Sequence, residues 1–170
     1  DNAALGMDSH MEAAKGAYLM RDYDPGRPKQ GCVIVRGTSS TASVIALIRD
    51  GFFDGQGPNL KLVQAVSHEL FQRQDEAWKE RVLPLEDWVD STVVTNGARK
   101  VMGPWVANAV ALEYGCGSDW DDRWRTGGRL DEIIAEAHLD PASIGEALRR
   151  FADARPQRLA RIRGERSASL

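Results

Sequence analysis

The sequence predicts an α/β domain of three layers, in which a mostly parallel sheet is flanked by helices. Three observations carry that expectation. CVIVRG, at 32–37, is a continuous β-branched run of the kind buried on both faces of a parallel sheet. From there to residue 96 strand-like and helix-like segments alternate, which calls for crossovers that place helices over the sheet. The chain then closes on two stretches whose apolar residues follow the i, i+3, i+4, i+7 rule.

Taken in order, the first ten residues show no strong period. AYLMRDYD, 17–24, reads as a short strand, and the turn-rich DPGRPKQG leads into CVIVRG. GTSST supplies a turn and candidate N-caps for a helix whose buried side carries Val44, Ile45, Leu47 and Ile48. FFDGQGPN brings the chain back to a strand at LKLVQAV, 60–66. HELFQRQDEAWKERVLP, 68–84, reads as one amphipathic helix with Leu70, Phe71, Ala77, Trp78, Val82 and Leu83 towards one side, Ser67 as N-cap and Pro84 as stop. STVVTN, 91–96, is a further strand, and NGARKVMGPWVANA leads into a helix or irregular segment. VALEYG, 110–115, reads as another short strand. Beyond the polar GSDWDDRWRTGG, Leu130, Ile133, Ile134 and Ala137 mark a helix. Asp140 caps the next one, with Pro141 at its first position and Ile144, Ala147, Leu148 and Phe151 on its apolar side. The expected organisation is an N-terminal extension or linker over 1–12, the α/β domain over 13–152 and a basic helical tail over 153–170.

At 170 residues the chain suits one domain, which buries roughly two-thirds of the surface its unfolded form would expose. Cys32 and Cys116 are the only cysteines, too few for a disulfide framework or a thiolate metal site, and a reducing cytoplasm is the expected location. A net charge of -3 argues against a general nucleic-acid binder. No apolar run approaches the roughly 20 residues of a membrane span, and the N-terminus lacks signal-peptide features, so no membrane association is expected. The tail collects Arg149, Arg150, Arg155, Arg158, Arg161, Arg163 and Arg166 against Asp153 and Glu165. Such arginines usually form a solvated face, while Leu159 and Ile162 give the segment enough apolar character to dock on another protein.

Two candidate sites emerge. Gly37, Thr38, Ser39, Ser40 and Thr41 follow a buried strand and open a helix, where backbone N–H groups and hydroxyls can hold an anion. The segment lacks a Walker lysine and a three-glycine fingerprint, so turn-and-cap chemistry is the weightier reading. In DWDDRW a calcium loop is excluded, because its fifth position is Arg123 and the required glycine and distant glutamate are missing. Trp120, Asp121, Asp122 and Trp124 are instead expected at a contact with another subunit, against the alternative that the aspartates pair within the chain with Arg123 or Arg125. His10, His68 and His138 stand beside no convincing Ser, Cys or second His, and Cys116 reads as an inert thiol. No self-contained catalytic, cofactor-binding or metal-binding constellation results.

SHELFQRQDEAWKERVLP resembles the segment in the C-terminal domain of transketolases where a strand ends in serine and a helix runs through ELF-like, QDE-like and VLP elements. GAYLMRD before the first buried strand, the glycine-threonine-serine turn after it and DPASIGEALRRF near the end are similar to the same family, over roughly residues 13–152. GSDWDDRWRTGG departs from it, since transketolases more commonly carry an aspartate followed by a phenylalanine-glycine element there, which implies a divergent subgroup. The resemblance implies the third domain only. Thiamine diphosphate and magnesium would reside in partner subunits that carry the diphosphate- and pyrimidine-binding domains. This chain would serve assembly of a dimeric complex of heteromers transferring a two-carbon ketol unit, with no catalytic residue of its own. RDGFF is also similar to the homodimeric pyruvate dehydrogenase first component, so an interaction module of a 2-oxo acid dehydrogenase is an alternative. A stand-alone anion- or nucleotide-binding domain is another.

Overall fold

In the computed structural model, which describes residues 2–121, 123 and 127–164, the β-branched run forms the strand that the sequence demands. The strands are β1 (Ala17–Arg21), β2 (Cys32–Arg36), β3 (Lys61–Ala65) and β4 (Ser91–Thr95), in the sheet order β1-β3-β2-β4. β2 pairs in parallel with β3 and with β4, and Ile34 lies between Val63 and Val93. β1 runs antiparallel along the outside of β3.

Helices cover both faces, which is why the central strands show no polar alternation. On one face Val33, Val35, Leu62 and Val94 pack with Val44 and Leu47 of α1 (Thr38–Arg49) and with Ile144, Leu148 and Phe151 of α7 (Pro141–Asp153). On the other, Cys32, Ile34, Val63 and Val93 meet Phe71 of α2 (His68–Gln72), Val82 of α3 (Glu76–Val82) and Met102 and Trp105 of a 3-10 helix, Arg99–Trp105. The remaining α-helices are α4 (Leu85–Val89), α5 (Ala109–Glu113), α6 (Leu130–Glu136) and α8 (Arg155–Ile162), and two 3-10 helices, Ala3–Leu5 and His10–Lys15, precede β1. None of the described helices is long and apolar enough to cross a membrane.

Three expectations are corrected. The single helix over 68–84 is two helices, and Pro84 N-caps a third, α4, which the sequence reading omitted. The break has a local cause. The Asp75 carboxylate accepts from the backbone N–H of Trp78 at 2.7 Å and so starts α3, while the Gln74 amide donates to the Leu70 carbonyl at 2.8 Å and closes α2. Residues 110–115 are not a strand. Asn108 caps α5 by accepting from Ala111 N–H at 3.2 Å, and the strand-like pairing is a single parallel bridge between Val94 and Cys116.

The basic tail is not uniformly solvated. Arg158 is 1% exposed, and its guanidinium donates to Asp90 Oδ1 at 2.5 Å and to the carbonyls of Phe151 and Gln30 at 3.1 and 3.2 Å. Gly31, at φ +120°, leaves room for this packing, because a Cβ there would lie 2.7 Å from the Phe151 ring. Arg161 forms a bidentate pair with Glu113 at 2.8 and 2.9 Å.

Candidate functional site

The turn between β2 and α1 is shaped by Gly37. Its φ of +100° belongs to the region glycine alone enters readily, and a Cβ would collide with the Asn96 side chain. Glycine also has no side chain to cap the first turn of α1, and Thr41 N–H is satisfied by the Gly37 carbonyl at 2.9 Å. Gly37, Thr38 and Thr41 line an open groove of about 570 Å³ together with Arg36 and Gln64. Thr41 Oγ1 donates to Gln64 Oε1 at 2.9 Å. Arg36 stands exposed at the end of β2 and forms no ion pair among the described residues. Ser39 and Ser40 do not line the groove. Ser40 is fully buried, and its hydroxyl has no hydrogen-bond partner among the described residues.

The second predicted group is divided. Trp120, 43% exposed, lies with its ring 4.3 Å from the His138 ring at an interplanar angle of 30°. Asp121 pairs with Arg123 at 2.7 Å. Asp122 and Trp124 lie outside the described residues. Just before them, Asp119 accepts from the Arg99 backbone N–H at 3.1 Å and from its guanidinium at 3.0 Å. Burial pushes the Asp119 carboxyl up, but these bonds outweigh it and hold it below the ordinary carboxylate range.

Trp120 and His138 belong to a cleft of about 390 Å³ between the segment after α5 and α7. Cys116 lies in its wall, flanked by glycines that allow the segment to press against β4 and against the start of the 3-10 helix. A Cβ on Gly115 would meet Val93 Cγ2 at 2.7 Å, and one on Gly117 would meet Arg99 Cγ at 2.6 Å. Burial raises the Cys116 thiol to about 11, with Arg150 and Arg99 pulling weakly the other way, so it stays protonated at neutral pH. Glu146 and Arg150, one turn apart on α7, face the same cleft and are paired at 2.8 Å. Among the described residues no three His, Cys, Asp or Glu side chains converge as a metal site would require.

No family model matches the sequence, and no curated protein is similar to it. Solved structures are similar in fold. Transketolase from Leishmania mexicana superposes with a TM-score of 0.60 and 19% identity over 88% of this chain and 20% of that one. A transketolase mutant from Pichia stipitis in complex with fructose 6-phosphate gives 0.56 and 20% identity over 86% and 19%. Transketolase from Campylobacter jejuni gives 0.52 and 16% over 80% and 18%. The fold is transketolase C-terminal-like. The chain spans about a fifth of the transketolases it matches.

Within this transketolase-like fold, sequence reasoning missed Arg36, His138, Glu146 and Arg150. One signal was available for His138. It ends α6 at φ +55°, where glycine or asparagine is usual, and it is the single non-glycine residue with positive φ among those described.

Proposed function

We propose that the chain is the C-terminal assembly part of a transketolase-like thiamine diphosphate enzyme that transfers a two-carbon ketol unit in the cytoplasm. Partners supply the diphosphate- and pyrimidine-binding domains, thiamine diphosphate, magnesium and the catalytic groups, in a dimeric arrangement of heteromers. The observation that supports this reading most is a transketolase-like fold spanning only a fifth of the transketolases it matches. The protonated Cys116 thiol and the aspartates paired with Arg99 and Arg123 suit a part that positions others.

Purification from the source organism under native conditions, followed by mass spectrometry and ketol-transfer assays, tests the reading. The expected result is co-purification with chains bearing the two missing domains and with bound thiamine diphosphate, and a loss of transfer when this chain is removed. Elution without a partner, with transfer unchanged on its removal, would overturn it. Capture of an acyltransferase component would assign the chain to a 2-oxo acid dehydrogenase instead. A stand-alone anion-binding domain is favoured by one feature, the first turn of α1, which has no side-chain cap and lies beside the exposed Arg36. Saturable binding of inorganic phosphate by the chain alone, lost in Arg36→Ala, would decide for that reading.

A further inference from the structure

The cleft beside Trp120 takes Gly117 and Trp120 from the segment where the sequence departs from the transketolase-like pattern, and it is separate from the groove at α1. We propose that it binds a flat, uncharged heteroaromatic ring carrying an amino donor beside a ring-nitrogen acceptor, the chemistry of an aminopurine base.

Size comes first. About 390 Å³ lies within the roughly 300–1,000 Å³ of small-ligand sites and is ample for a two-ring base. The wall comes next. The His138 ring steadies the indole of Trp120 at 4.3 Å, and 43% of Trp120 remains exposed to take a further ring. Stacking on such a platform accepts any base.

Selection would come from the edge of the cleft. Arg150 Nη1 donates to Glu146 Oε1 at 2.8 Å, which leaves Glu146 Oε2 as an acceptor and other guanidinium N–H groups as donors, side by side on one helix face. An amino group next to a ring nitrogen matches that pair. The side chains of Arg150 and Glu146 are 65% and 73% exposed, so sharing their bonds with a ligand costs little. Charge argues for a neutral ring, because the cleft's two carboxylates, Glu113 and Glu146, are already neutralised by Arg161 and Arg150. Cys116, held as a protonated thiol, offers a soft contact and no nucleophile. His138 is placed by the end of its helix. At φ +55° it takes the left-handed position that closes α6, which sets its ring against Trp120.

The test is calorimetric titration of adenosine into the full chain, with inosine as control, since inosine replaces the amino donor with a carbonyl acceptor. Adenosine should bind saturably and more tightly than inosine. Trp120→Ala should weaken binding about tenfold or more, the usual loss when a stacking ring is removed. Glu146→Ala, on the exposed side of α7, should weaken it about tenfold while the circular dichroism spectrum stays unchanged. His138→Gly suits the left-handed backbone and, because it removes the ring that steadies Trp120, should still bind more weakly. The inference is overturned by the absence of saturable heat up to about 10 mM adenosine. Equal binding of adenosine and inosine, or unchanged affinity in Trp120→Ala or Glu146→Ala, overturns it as well.

Discussion

Replacing Asp90 with alanine should be among the most damaging single changes in this chain. Its carboxylate accepts from Arg158 Nη1 at 2.5 Å and from Arg155 Nε at 2.6 Å, and it thereby fastens α8 to the N-terminal edge of the sheet. Arg158 is 1% exposed and lies with its guanidinium 3.6 Å from the centre of the Phe151 ring. Without Asp90 the guanidinium is left buried with backbone carbonyls and a ring face for company. Stranding a buried charge costs about 3–5 kcal/mol, and that is the expected loss for Asp90→Ala. Arg158→Met keeps the stem's contact with Phe151, and Asp90 retains Arg155, which is partly solvated. Its cost should be nearer that of a lost charged hydrogen bond, about 2 kcal/mol. The double variant strands neither charge deep in the protein and should be less destabilised than the sum of the two singles by at least about 1 kcal/mol. Urea unfolding followed by far-ultraviolet circular dichroism gives all three values. A loss below about 1 kcal/mol for Asp90→Ala, or strict additivity in the double variant, would refute the reasoning.

Three other outcomes are expected. Asp75→Ala removes the cap that starts α3 and should cost about 1 kcal/mol, read from the same urea transitions. Asp140 is pushed up by burial, but bonds from the Ser143 hydroxyl and backbone outweigh that and hold its folded pKa below the unfolded value near 3.9. Its contribution is therefore present above about pH 4 and is lost as pH falls through the folded pKa, and unfolding titrations should show a shallower acid dependence in Asp140→Asn. Cys116, raised to about 11, should react with iodoacetamide far more slowly at pH 8 than a free thiol, with the rate rising as pH approaches 11. Rapid modification at pH 8 in the native state would contradict the burial assigned to it.

The sheet was legible because burial on both faces leaves a local mark. A strand such as Cys32–Arg36 must be apolar at successive positions, and the sequence shows it without reference to any distant residue. The helices that were misread lack such a mark. Apolar residues continue on one side across the α2–α3 break, so the period survives while the hydrogen-bond ladder stops, and Asp75 looks like any solvent-facing helix residue. AVALE, only five residues long, satisfies strand and helix patterns alike, and what decides for α5 is the Asn108 cap together with its bond to the Val89 carbonyl at 2.9 Å. Of the predicted sites, the Gly37 turn was legible because it is local. The cleft was not, since its residues come from positions 113 to 150 and meet only in the fold.

Distant pairing also hides an asymmetry between the two ends of the sheet. At the N-terminal ends of the parallel strands the charged groups are buried and matched. Lys61 and Asp87 lie 3.1 Å apart with side chains 5% exposed, Tyr23 donates to Asp87 at 2.8 Å, and Asp90 holds Arg155 and Arg158. No sequence pattern distinguishes these residues from solvated ones. At the C-terminal ends Arg36 forms no ion pair among the described residues, Thr38 is exposed, and the first turn of α1 has no side-chain cap. Ligands of open parallel sheets approach the carboxyl ends of the strands, because helix N-termini and unsatisfied N–H groups gather there. The buried ion pairs of the sheet thus gather at the end where they fasten α4 and α8 to it.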